Sequence, residues 1–257
     1  MLLVLVQIAY PLTSGVARDA VTVVVVLLSA ATALVHAGVT RGLGYAAGFL
    51  VIVSGLGLVA EIVGTATGFP FGCYEYADGR LGPAVAGVPL VVALAWTGGL
   101  YPVWVVAGLL ARRTSGRIVL TAVGAVGWDL FLDPQMVADG QWLWCDTDSG
   151  LPGLARIPAT NYLGWFGVAL LMALALTVWE RVAREVVLSG SNIAVPIVVF
   201  LWTWLGSALA HAVFLDLPAS ACYGGIGLGL LGVPLVVRLR RSRGEHNDGG
   251  SARRVAI

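Results

Sequence analysis

Lysine is absent from this chain, and all 15 basic residues are arginine. Charge of either sign is scarce, at 11% of residues, and the formal net charge is +1. Such a chain lacks the basic surface that nucleic acid requires. Histidine occurs three times, with His36 and His211 isolated in apolar runs and His246 near the end. A histidine-rich di-iron centre is therefore excluded. HExxH, paired CxxC and a phosphate-cradling glycine loop are also missing, and the single DxxxD is too sparse for the paired Asp-rich metal motifs of prenyl transfer. The expectation is no metal and no redox cofactor. No basic segment followed by a small-residue cleavage site opens the chain, so Met1 to Thr13 reads as a short first span rather than a removed signal. Of three cysteines, Cys73 and Cys145 fall in loops on one side and can pair in an oxidising compartment, which leaves Cys222 over.

What is present is apolar. Hydrophobic residues make up 58% of the chain, in runs close to the roughly 20 residues that cross a bilayer. The fold class expected is all-α, a polytopic transmembrane helical bundle of about eight spans. They fall near 1–15, 20–38, 43–66, 84–111, 118–136, 161–180, 194–214 and 219–237. The count drops to seven if the first, short and carrying Gln7 and Pro11, does not span. No polar stretch is long enough to fold separately, so residues 1–237 form one domain. Residues 238–257, rich in Gly, Ser and Arg, form a polar tail expected to be disordered. Numbering the connections alternately puts twelve arginines on one side and only Arg18, Arg80 and Arg156 on the other. By the positive-inside rule the protein sits in the cytoplasmic membrane with its C-terminus in the cytoplasm.

Glu61 to Trp104 is the stretch that a mere span would not need. Glu61 stands among Leu58, Val59, Ile62 and Val63, and an ionisable group inside a span marks a functional site. Gly64, Thr65 and Gly68 have the small-xxx-small spacing that admits a neighbouring helix. The loop that follows, GFPFGCYEYADGRLGP, carries Phe69, Phe71, Tyr74, Glu75 and Tyr76. Its aromatics read either as an interfacial belt or as a re-entrant loop over a pocket, since irregular backbone at membrane depth must be buried in protein or line a cavity. In WDLFLDPQ, Asp129 and Asp133 are four apart and share a helix face, while Pro134 disfavours helix at Asp133 and predicts an end or bend there. Two carboxylates so close repel when both are ionised, and one is expected to keep its proton, the state a general acid needs. Trp96, Tyr101, Trp104, Trp128, Trp142, Trp144, Tyr162 and Trp165 add rings in the same segments and suit a long, flat, conjugated or isoprenoid ligand. Glu180 and Arg184, by contrast, read as an ordinary i,i+4 pair at a solvated helix end.

TGFPFGCYEY, LGPAVAGVPLVVALAW, YPVW, WDLFLDPQMVADGQWLW and IPATNYLGW occur in this order between about residues 55 and 170. As a set they resemble the carotenoid hydratase family of bacteria and archaea. Cys73 and the loop CDTDSGLPGLAR lie outside the resemblance. The resemblance implies an integral membrane enzyme that adds water across the terminal C1=C2 bond of an acyclic ψ-end carotenoid, giving a tertiary alcohol. Its partners would be a lipophilic carotenoid, water and the bilayer, with no cofactor. On that reading Asp129 or Glu61 is the acid and the other steadies the cation and orients water, with Asp133 and Glu75 as further carboxylates. Phe69, Phe71, Tyr74, Tyr76, Trp96, Trp128, Asn161 and Trp165 are the lining candidates. A lyase, isomerase or cyclase of the same chemistry, and a non-catalytic carotenoid- or lipid-binding scaffold, remain open. A transporter is disfavoured because the two halves show no repeat.

Overall fold

The computed structural model describes residues 1–145, 149–183 and 193–254, with the side chains of residue 155 and residues 243–254 left undescribed. Asp146, Asp148, Arg184 and Glu185 lie outside the described residues. The order of elements is α1 (Leu2–Ala9), a 3-10 turn at Tyr10–Leu12, α2 (Gly15–Arg41), α3 (Leu43–Thr67), β1 (Tyr74–Tyr76), β2 (Ala84–Val85), β3 (Val88–Pro89), α4 (Leu90–Leu110), α5 (Thr114–Ala138), β4 (Trp142–Trp144), β5 (Gly150–Leu151), β6 (Leu154–Pro158), α6 (Ala159–Val182), α7 (Ala194–Val213) and α8 (Pro218–Arg254). Helices α2 to α8 are long and apolar enough to cross a membrane, α8 over Pro218–Ser242. This is an all-α, multi-pass membrane protein. With eight residues, α1 rises only about 12 Å, too little for a hydrocarbon core of about 30 Å, so the candidate spans among the described residues number seven.

Helix α4 is the axis of the bundle, the most buried of the seven. It is apolar all round, so no face is held back for water. Glycines let its neighbours come close. A Cβ on Gly98 would lie 2.6 Å from the Ser29 side chain on α2, and one on Gly99 would lie 2.6 Å from the Trp128 ring on α5. The α5–α8 contact brings backbone against backbone: a Cβ on Gly127 would stand 2.6 Å from the backbone of Gly227.

Two boundaries differ from those the sequence predicts. Residues 84–89 are a hairpin, not the first turns of α4: Ala84 pairs with Pro89 and Val85 with Val88, around Ala86 and Gly87, which both have positive φ. Positive φ at both central residues is the two-residue turn that matches strand twist, and Pro89 sets the entry to α4. Pro134 does not end α5, which runs on to Ala138. Proline removes the ladder bond to the carbonyl four residues back. That carbonyl, on Leu130, instead accepts a bond of 2.7 Å from the Ser220 hydroxyl of α8. A tertiary partner thus replaces the missing amide.

One end of the bundle is roofed by the short strands. β1 and β4 pair antiparallel, with Tyr74 opposite Trp144 and Tyr76 opposite Trp142. The Cys73–Cys145 disulfide continues this ladder across a separation of 72 residues, as the loop positions allowed. Arg80 clamps the roof, bonding Asp19 of α2 and the carbonyls of Asp139 and Gly140. Asp139 is paired with Arg18 at 2.8 Å and accepts from the Tyr10 hydroxyl.

Candidate active site

Three helix faces converge beneath the roof. On α3 the inward positions Gly57, Glu61 and Gly64 follow the helical period, as do Ala122, Ala125, Asp129, Asp133 and Met136 on α5 and Asn161, Trp165, Ala169 and Met172 on α6. Such a face is ordinarily apolar, yet here each carries a polar group at the same depth. Glu61 is 4% exposed, Asp129 1%, Asp133 5% and Asn161 1%, so all four are removed from solvent.

Their partners are neutral. The Tyr74 hydroxyl donates to Glu61 Oε2 through a short bond, and Tyr76 reaches the same carboxyl. The Asn161 amide donates to both aspartates, at 3.3 Å to Asp129 Oδ2 and through a short bond to Asp133 Oδ2. The Trp142 indole N–H also reaches Asp133. Glu61 lies close enough to both aspartates to interact with them electrostatically. Among the described residues no cation enters this set, and no three His, Cys, Asp or Glu side chains are grouped to hold a metal ion. Burial, with the Glu61 carboxylate next in importance, holds the Tyr74 phenol well above its ordinary range, and the same two causes act on Tyr76. Both are therefore hydrogen-bond donors, not phenolates.

Phe71 is locked in by two glycines. A Cβ on Gly64 of α3 would meet its ring and the Tyr74 hydroxyl, at 2.9 Å from the latter; one on Gly164 of α6 would lie 2.6 Å from the ring. The small residue at Gly64 thus admits the loop, where the spacing alone had predicted a helix. From Phe71 an aromatic ladder runs inward, stacked on Trp165 at 4.5 Å, then Trp165 on Trp96 at 4.0 Å, then Trp96 edge-on to Trp128 at 5.1 Å. Outward it continues through Tyr74 to Trp144 at 4.6 Å and through Tyr76 to Trp142 at 5.4 Å.

Of the residues singled out from sequence, the structure brings together Glu61, Asp129, Asp133, Phe71, Tyr74, Tyr76, Trp96, Trp128, Asn161 and Trp165. Glu75 and Phe69 stand apart. Glu75 is exposed, because alternation along β1 turns it away from the face that holds Tyr74 and Tyr76. Phe69, joined to Pro70 by a cis peptide, is 74% exposed and resembles a belt residue while its neighbours fold inward. Trp142 and Tyr162, which the sequence offered only as two of many rings in these segments and not as lining candidates, join the carboxyls as well. The alternation YEY and WLW, each beside a cysteine, is a signal that pairs Trp142 with Tyr76. Tyr162 follows Asn161, close enough to sense both aspartates, and its buried hydroxyl has no partner among the described residues.

A cavity of about 450 Å³ lies elsewhere, bounded by α1, α2, α5 and α7 and apolar except for Gln7, Tyr10, Gln135 and Ser207. Gln135 is its only α5 contribution, two positions from Asp133 and so on the other side of that helix. The site is identified by its chemistry, not by volume.

Comparison with known proteins points the same way. The family described as "Carotenoid biosynthesis protein" matches residues 21–234. Over 125 residues the chain is 31% identical to a protein of Haloarcula japonica named bisanhydrobacterioruberin hydratase. That match covers 44% of this chain and 41% of the relative, so it spans about two fifths of the relative's length. No solved structure matches.

Proposed function

The chain belongs to the carotenoid biosynthesis protein family, and from that premise we propose that it hydrates the terminal C1=C2 bond of an acyclic ψ-end carotenoid. The observation that carries this reading is the meeting of Glu61, Asp129 and Asp133 in a dry, aromatic-walled interior with no cation among their described neighbours. Hydrating a trisubstituted alkene needs one carboxyl that gives a proton and one that takes it back.

The bonding supports one division of roles. Asp129 and Asp133 share the Asn161 amide and hold one proton between them, since like charges this close do not both ionise. That pair is the acid. Its O–H bond breaks as the π electrons of C1=C2 form the new C2–H bond, leaving a tertiary cation at C1. The aromatic faces and the Glu61 carboxylate steady the cation. Water gives a lone pair to C1, and one of its protons passes to Glu61, which Tyr74 holds as an acceptor. Proton exchange between the carboxyls then restores the starting state, and the net change is one added water. Tyr162, with its free hydroxyl beside the aspartates, positions that water. The same reading takes the protein as a resident of the cytoplasmic membrane, and the twelve arginines on one side of the candidate spans support a cytoplasmic C-terminus with the roof outside.

The test is expression in a host that accumulates lycopene, with pigments resolved by mass. A product heavier by one water, which takes its oxygen from isotopically heavy water, is the expected result. Unchanged pigment from this and a longer acyclic carotenoid, with stable membrane protein present, would move a non-catalytic binding role ahead.

A further inference from the structure

At the opposite end of the bundle a second cavity, of about 380 Å³, opens between the α4–α5 turn and the end of α6. Its polar lining includes Arg112, Arg113, Thr114, Arg117, Glu180 and Arg181. The one carboxylate there is already satisfied: Glu180 pairs with Arg41 and Arg117, each at 2.7 Å, and accepts from Tyr45 and Trp104 as well. Arg112, Arg113 and Arg181 have no acidic partner among the described residues. Helix α5 begins at this cavity, and its N-cap residue Arg113 supplies no side-chain cap, so the first N–H groups and the positive end of the helix dipole face the same space. Converging guanidinium forks and free amides recognise phosphate oxygens.

A free phosphate and a lipid headgroup share that chemistry. The outer surface of α6 favours the lipid. Leu171, Leu174 and Val178 are exposed and lie on one face with Arg181. Leu171 to Arg181 is about 15 Å along the helix, close to the depth of one leaflet. We propose that this cavity seats the phosphate of an anionic phospholipid, with one acyl chain lying along Leu171, Leu174 and Val178. The basic pocket between helix ends selects the headgroup, and the stripe below it takes the hydrocarbon.

The full-length protein, assembled in phosphatidylcholine nanodiscs with increasing phosphatidylglycerol, tests this through retained lipid measured by native mass spectrometry and through thermal unfolding. The wild type should retain phosphatidylglycerol selectively and unfold at higher temperature as its share rises. Joint substitution Arg112→Ala, Arg113→Ala and Arg181→Ala should weaken that selectivity on the order of a hundredfold, at roughly fivefold per arginine. Arg240→Ala with Arg241→Ala, equally exposed but outside the cavity, should leave it unchanged. Equal selectivity in the triple variant would overturn the proposal, and so would equal stabilisation by inorganic phosphate, which would make the ligand a free anion. If the triple variant fails to fold, the single exposed change Arg112→Glu carries the same comparison. None of these readouts depends on pigment chemistry.

Discussion

Two acidic centres sit at opposite ends of this bundle, one half-buried at Glu180 and one buried at Glu61, Asp129 and Asp133, and the carboxyls meet different partners in each. Glu180 is surrounded by five donated hydrogen bonds and two arginines, with Arg117 stacked on Trp104 at 3.4 Å and Arg41 on Tyr45 at 3.9 Å. It ties α2, α3, α4, α5 and α6 together and leaves its carboxylate with no capacity to react. Glu61, Asp129 and Asp133 are more deeply buried but meet only Tyr, Asn and Trp donors, with three acids sharing a few neutral contacts. A compensated charge holds structure, whereas an uncompensated group of buried carboxyls is suited to exchanging protons.

The sharpest way to break this comparison is to neutralise one acid in each centre. Glu61→Gln and Asp129→Asn should each lower hydration by about a hundredfold to ten-thousandfold, the usual range for losing a general acid or base, while protein yield and thermal unfolding stay near wild type. Full activity in both would remove the site assignment. Glu180→Gln should do the reverse. It strands Arg41 and Arg117 in a partly water-accessible setting, at a cost of roughly 2–3 kcal/mol, between that of exposed and buried pairs. Hydration per folded molecule, measured after quantifying folded protein, should change little.

A smaller effect sharpens the contrast. Tyr74→Phe keeps the ring against Phe71 and Trp144 but removes the donor to Glu61. Activity should fall about tenfold, and a drop no larger than twofold would show that the hydroxyl only fills space. The smallest effect concerns alkaline pH. Free tyrosine ionises near pH 10, and burial beside Glu61 raises the folded-state values of Tyr74 and Tyr76 above that. Below pH 10 both states keep the proton and stability is flat. Above it only the unfolded chain releases the proton, so stability falls as pH rises. Unfolding followed from pH 9 to 11 should show that slope shallower in Tyr74→Phe.

The sequence by itself determined the fold class and the chemistry at hand. Apolar runs long enough to span a bilayer favour helix, which satisfies every backbone group within the segment. Glu61 and Asp129 stand out because a carboxyl inside an apolar run has no cheap structural reason to be there. Tertiary structure decided what those groups meet. Glu180 read as a solvated helix end because its partners Arg41 and Arg117 lie 139 and 63 residues away in the chain. Pro134 read as a helix end because its substitute donor, Ser220, lies on another helix. Glu75 joined the candidates by composition alone, and only strand pairing showed which side of β1 it faces. Local pattern records the cost of placing a residue in lipid; whether that cost is offset by a partner depends on contacts between segments remote in the chain.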